Sequence, residues 1–156
     1  MPRLRRRRHV EVIAADLRGE VLEITARNLA GTNHVTLLRA DARAIPLGDG
    51  EVDVAHASLL MHHFDPDDAI VALAEMRRVS RLGIVINELR RGLLPFTITA
   101  ATVLALSRAR YTRHDGVLSA RRAYTLSELD TLARRAGLSR VARSTSFWPR
   151  VTASAC

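Results

Sequence analysis

The sequence predicts a three-layer α/β domain built on a parallel sheet, and three observations predict it. Apolar stretches of strand length alternate with stretches of helical period, as in successive strand and crossover-helix units. Two of the strands run into an acidic residue, VEVIAAD ending at Asp16 and VTLLRADA carrying Asp41. The run VDVAHAS is uncharged after Asp53, as expected of a central strand covered on both faces.

The elements follow in order. Val10 to Ala15 reads as the first strand, and Gly19 to Leu29 as a helix with Val21, Leu22, Ile24, Thr25 and Leu29 along one side and Gly31 as its stop. Val35 to Arg39 is the second strand. The connection ARAIPLGDGE holds a proline and two glycines and extends neither neighbour. After the strand Val52 to Ser58, Asp65 is placed to cap a helix whose first position is Pro66, whose first turn holds Asp67 and Asp68, and whose apolar stripe is Ala69, Ile70, Leu73, Met76 and Val79. Gly83 to Glu88 is the fourth strand. Residues 92–124 break the pattern and read as an insertion or lid-like segment. Thr125 with Glu128 forms a capping box for a helix running to Gly137, and Arg140 to Phe147 and Pro149 to Ala155 form two extended segments that pair as an antiparallel hairpin across Trp148.

The chain of 156 residues, 47% hydrophobic, is long enough for one cored domain spanning 1–156. Its net charge of +8 comes from Arg alone, since Lys is absent. Arg5 to Arg8, Arg77/Arg78, Arg90/Arg91, Arg121/Arg122 and Arg134/Arg135 are scattered, and an aromatic content of 4% offers no stacking platform, so solvated helix ends are favoured over a nucleic-acid surface. Cys156 alone forms neither an internal disulfide nor a thiolate metal site. MPRLRRRRH begins like a secretory signal, but the apolar run after it is too short, and the uncharged run Gly92 to Ser107 falls short of a bilayer span of ~20 residues. A cytoplasmic protein without a transmembrane segment is expected; the oligomeric state is left open.

An acid at the C-terminal end of a strand in an open α/β sheet points into the crevice where nucleotides bind, and can accept from both ribose hydroxyls. Asp16 stands there; its alternative is to cap the helix at Gly19. Asp41 either accepts from an adenine amine, with Ala42 offering a backbone donor, or forms a turn. His62 and His63 follow the third strand, and in an extended chain their side chains diverge, which leaves no metal-ligand set. His56 reads as a core histidine. Asn87 and Glu88 end the fourth strand and either orient a ligand on the same rim or bond nearby backbone. Arg113, His114, Asp115, Arg121 and Tyr124 form either a polar ligand surface or a salt-bridged loop.

Taken together, RADARAIPLGDGEVDVAHASLLMHHF and MRRVSRLGIVINELRRG resemble the class I S-adenosylmethionine-dependent methyltransferases, especially the small-molecule enzymes related to ubiquinone and menaquinone biosynthesis. The resemblance runs from about Arg5 through the Thr125 helix. It implies a Rossmann-like fold, S-adenosylmethionine as cofactor and a small-molecule acceptor methylated on oxygen or carbon. It places Asp16 on the ribose, Leu17 beside the adenine, Asp41 and Ala42 at the adenine edge, and Ser58 near the methionine portion. His63 is then the candidate base for a phenol or enol, ahead of His62, while Asn87, Arg113, His114 and Tyr124 are candidates for the acceptor. TRHDGVLSARRAYT is similar to a subgroup with aromatic or polyketide-type acceptors.

This family opens with a strand and a G-x-G-x-G-like turn, and no such turn precedes any strand here. PRLRRRRHVEV reads as the last turn of the following helix, so the expectation is a domain that lacks its first strand and glycine-rich loop, and binds cofactor weakly. The alternative to an enzyme is a non-catalytic methyltransferase-like fragment or partner subunit.

Overall fold

A computed structural model describes residues 10–89, 122–139, 141–145 and 150–155. Arg5 to Arg8, the Gly92 to Ser107 run, Arg113, His114 and Cys156 lie outside the described residues.

The chain is an α/β domain. Its elements are β1 (Val12–Asp16), α1 (Gly19–Asn28), β2 (Val35–Arg39), β3 (Val52–Ser58), a 3-10 turn (Met61–His63), α2 (Pro66–Val79), β4 (Ser80–Leu89), α3 (Leu126–Arg135), β5 (Val141–Thr145) and β6 (Arg150–Ala155). β1 pairs parallel with β2, from Val12 opposite Val35 to Asp16 opposite Arg39. β3 pairs parallel with β4, with Ser58 opposite Asn87, and β6 runs antiparallel to both β4 and β5. Among the described residues these ladders form two separate sheets, β1-β2 and β3-β4-β6-β5.

The second sheet carries the core. Its buried cluster joins Ala57, Ile84 and Ile86 of the strands to Leu73 and Met76 of α2 and to Leu129 and Leu132 of α3. The stripe expected on α2 is present: Ala69, Leu73, Met76 and Val79 are buried, and Ile70 packs against the cluster. At the start of α3 the capping box forms, with Thr125 Oγ1 accepting from Glu128 N–H and the Glu128 carboxylate accepting from Thr125 N–H. Past the end of α3, Gly137 takes φ +83°, a left-handed turn that a Cβ would strain and crowd against the Arg77 guanidinium.

Several expectations need correction. β3 is not a strand buried on both faces: of its seven residues only Ala57 is buried, since among the described residues β3 stands at the end of its sheet beside β4. His56 is exposed on that strand and is not a core histidine. Asp65 stands at the N-cap of α2 with extended backbone, but its side chain makes no capping bond. β4 begins at Ser80, directly after α2, three residues before the expected Gly83.

Candidate functional site

The C-terminal ends of β1 and β2 bring the two acids to one side of the chain. Asp16 ends β1, where its carbonyl accepts from Ala40 N–H (3.1 Å) and its Oδ1 accepts from Arg18 N–H (2.8 Å). This turn leaves the Asp16 side chain about one-third exposed, and the residue capping α1 is Arg18. Leu17 is exposed beside it, with its carbonyl held by Arg39 Nε (3.2 Å).

Asp41 lies two residues past β2 in a short bridge with Ala44. Arg43 grips its carboxylate: Oδ1 accepts from Arg43 N (2.9 Å) and Nε (3.1 Å), and Oδ2 from a terminal guanidinium nitrogen (2.8 Å). These bonds lower the Asp41 pKa to about 2, so it is a carboxylate at any physiological pH. An ionised carboxylate has about four acceptor positions, so a further donor at the outer lone pairs is still accommodated. Arg43 also reaches Asp68 of α2 (2.9 Å) and lies 6.0 Å over the Phe64 ring. A second arginine, Arg78, holds the following loop by bonds to the Ile45 and Leu47 carbonyls, Asp49 and Glu75.

On the other sheet, the rim after β3 is tightly bonded to the end of β4. Asn87 Nδ2 donates to Ser58 Oγ (3.1 Å), and Leu59 N–H donates to the Asn87 carbonyl (2.8 Å). Leu59 has φ +56°, an uncommon and costly backbone for a large apolar residue. His62 and His63 sit in the 3-10 turn with ring centroids 4.2 Å apart, so their side chains converge where an extended chain would have separated them. His63 is exposed. His62 is buried, with Nδ1 2.7 Å from Glu88 Oε1, and the other oxygen of the fully buried Glu88 accepts from Met61 N–H (2.7 Å).

Tyr124 is turned inward: its ring joins the core and its hydroxyl donates to the Phe64 carbonyl (2.8 Å). The Glu88–His62 pair and the two arginine clamps were not foreseen from the sequence. An acid ending the apolar strand GIVINEL was the one visible signal for the first, and Glu75 three residues before Arg78 for the second. Among the described residues no cluster of His, Cys, Asp and Glu could hold a metal ion, and no helix is long and apolar enough to cross a membrane.

The adenosine half of S-adenosylmethionine fits the residues present: a partly exposed carboxylate at the end of β1, an exposed apolar Leu17 next to it, and past β2 a second carboxylate whose pKa is lowered to about 2.

Comparison with known proteins bears on the fold. The fold is similar to that of a SAM-dependent methyltransferase from Aquifex aeolicus (TM-score 0.68, 17% identity, covering 93% of this chain and 68% of that one). It is also similar to a SAM-dependent methyltransferase from Thermotoga maritima (TM-score 0.64, 17% identity, 92% and 71%). A third similar structure is magnesium protoporphyrin IX methyltransferase from Synechocystis with bound SAH (TM-score 0.56, 16% identity, 93% and 63%). Against other neighbours the chain spans less than half of their length. No protein of curated function matches the sequence significantly. A family model described as a methyltransferase domain matches residues 1–83, more than half of the chain, and with it the expectation of S-adenosylmethionine as cofactor is met: the chain belongs to the methyltransferase domain family.

Proposed function

We propose that the chain takes part in S-adenosylmethionine-dependent methyl transfer to a small-molecule acceptor with a phenolic or enolic centre, on oxygen or carbon. The observation that carries this reading is the pair of acids at adjacent strand ends of a parallel ladder, Asp16 after β1 and Asp41 after β2, within a methyltransferase-family segment. Asp16 would accept from the ribose hydroxyls, Leu17 would cover one side of the adenine, and Asp41 and Ala42 would meet its edge. Ser58 would face the methionine portion, near the rim where Asn87 already holds its hydroxyl oxygen.

S-adenosylmethionine supplies, when bound, a methyl group on a positively charged sulfur. The exposed His63 imidazole would take the proton of an acceptor hydroxyl, a task suited to a neutral imidazole near pH 7. Asn87 would orient the acceptor. Arg113 and His114 would contribute from the segment before α3, whereas Tyr124, with its hydroxyl donated to Phe64, would contribute by packing. Where the acceptor is already nucleophilic, alignment alone does much of the work.

A second reading, a methyltransferase-like partner subunit that binds cofactor weakly by itself, is favoured by one observation. No described residue from Val10 to His56, the stretch bearing both acids, is buried. Titration calorimetry with S-adenosylmethionine and S-adenosylhomocysteine separates the two. On the enzyme reading the unaltered chain binds at micromolar concentration and Asp16→Ala weakens binding at least tenfold. Binding only at millimolar concentration favours the partner subunit, and a dissociation constant unchanged by Asp16→Ala refutes the assigned ribose contact.

A further inference from the structure

We infer that Glu88 is a positioning residue for the acceptor side of the site, acting through His62; the inference rests on the reading that the acceptor meets the rim after β3. Four bonds from two consecutive residues of β4 grip this rim. Asn87 holds Ser58 Oγ and Leu59 N–H, while Glu88 takes Met61 N–H on one oxygen and His62 Nδ1 on the other, both at 2.7 Å. Together they hold Leu59 in its left-handed backbone, a conformation that persists only where the surroundings over-determine it.

A packing role alone does not account for the pair. The Glu88 side chain is 0% exposed and that of His62 4%. Replacing such a buried polar pair by well-packed apolar residues is often neutral or stabilising, so stability is a poor reason for having one. What Glu88 supplies and an apolar residue does not is a fixed protonation pattern. A hydrogen on His62 Nδ1 donated to Glu88 Oε1 accounts for the short contact, and it leaves Nε2 as the ring nitrogen turned away from Glu88. The His62 ring, fixed in tautomer and plane, is the surface against which the exposed His63 ring leans at 4.2 Å and 39°. Glu88 thereby sets which nitrogen of His62 carries the hydrogen beside the imidazole that receives the acceptor's proton.

Glu88→Gln tests this with almost no change of shape. Met61 N–H and His62 Nδ1 meet different oxygens of Glu88, and an amide offers one acceptor and one donor, so the variant keeps Met61 N–H on its oxygen and turns its NH2 toward His62. Long-range proton–nitrogen NMR of the unaltered, ligand-free chain is expected to show His62 as the Nδ1–H tautomer. Glu88→Gln is expected to shift it to Nε2–H. Transfer of labelled methyl to catechol, used as the phenolic probe, is expected to lose at least tenfold in kcat, with the dissociation constant for S-adenosylhomocysteine within twofold. His62→Asn is the second variant: its amide keeps the bond to Glu88 and the fold, removes the ring beside His63, and is expected to lose kcat to the same extent. An Nε2–H tautomer in the unaltered chain, or full transfer by both variants, would overturn the assignment. Absence of transfer by the unaltered chain counts against the proposed function, and the tautomer measurement then decides the Glu88 assignment alone.

Discussion

The stretch before Ala57 and the stretch after it obey different physics. From Val10 to His56 no described residue is buried, although β1, α1 and β2 form with good geometry; every buried residue stands at Ala57 or later. Val10, Val12, Ile13, Leu17, Ile24 and Val54 are exposed in the first stretch, against Val71 and Leu82 in the second. The first region is thus held by ladders, polar clamps and a few partly buried apolar contacts, the second by full apolar burial. Arg43 and Arg78 help to join them, through Asp68 of α2 for one and through the Ile45 to Asp49 loop for the other, beside the packing of Ala42, Ile45 and Ala55 against the core and the β3–β4 ladder. Regular strands and a helix thus form in a stretch whose residues are at most partly buried, while full burial is confined to the second.

The largest effect expected from this contrast is on stability. Leu73→Ala, at a site with no exposure, should cost about 2–5 kcal/mol in urea unfolding, and Ile24→Ala, about half exposed on α1, under ~1 kcal/mol. Equal costs would erase the division between the two regions.

Arg78→Ala probes the clamp itself. It leaves the Ile45 and Leu47 carbonyls and Glu75 without their guanidinium, and should cost about 1–3 kcal/mol, with Arg78→Lys recovering only part because an ammonium cannot reproduce the planar fork. Full recovery by Lys would mean that charge, not fork geometry, joins the regions.

The smallest effect is a pH dependence from Asp41, whose folded pKa of about 2 lies below the ordinary carboxylate value of about 4. A depressed folded pKa contributes stability that is present above pH ~4 and is lost as pH falls toward ~2. Glu75, also lowered by its bonds to Arg78, acts in the same direction, so Asp41→Asn is the proper control. Melting curves between pH 5 and 2 should fall more steeply for the unaltered chain than for Asp41→Asn; parallel curves would remove Asp41 from the clamp.

The same contrast explains what was legible in the sequence. Strands and helices were readable because period and turn residues are local: β2, β3, the α2 stripe and the Thr125 capping box all stand where the residues predict them. Burial was not readable in β3, since VDVAHAS carries the composition of a central strand and its exposure depends on which strands lie beside it. The acids at the ends of β1 and β2 were legible as strand-end residues, but the grip of Arg43 on Asp41 was hidden in a connection read only for its breakers. The convergence of His62 and His63 was not legible because an extended chain would part the two rings, and the bond of His62 to Glu88 spans 26 residues. Arg113 and His114 lie outside the described residues.

Among the described residues β3 stands at the end of its sheet, and this position has a consequence for how the molecule behaves in company. A terminal strand turns a row of N–H and C=O groups outward, and such a row recognises any extended backbone regardless of side chains. Protection on this strand is thin: an ion pair between Asp53 and Arg81 stands near its start, and the next residue, Val54, is about half exposed. A second copy of the chain offers the same row. Edge-to-edge association through these backbone groups is therefore the expected effect of raising the concentration, and sedimentation velocity over a concentration series checks it.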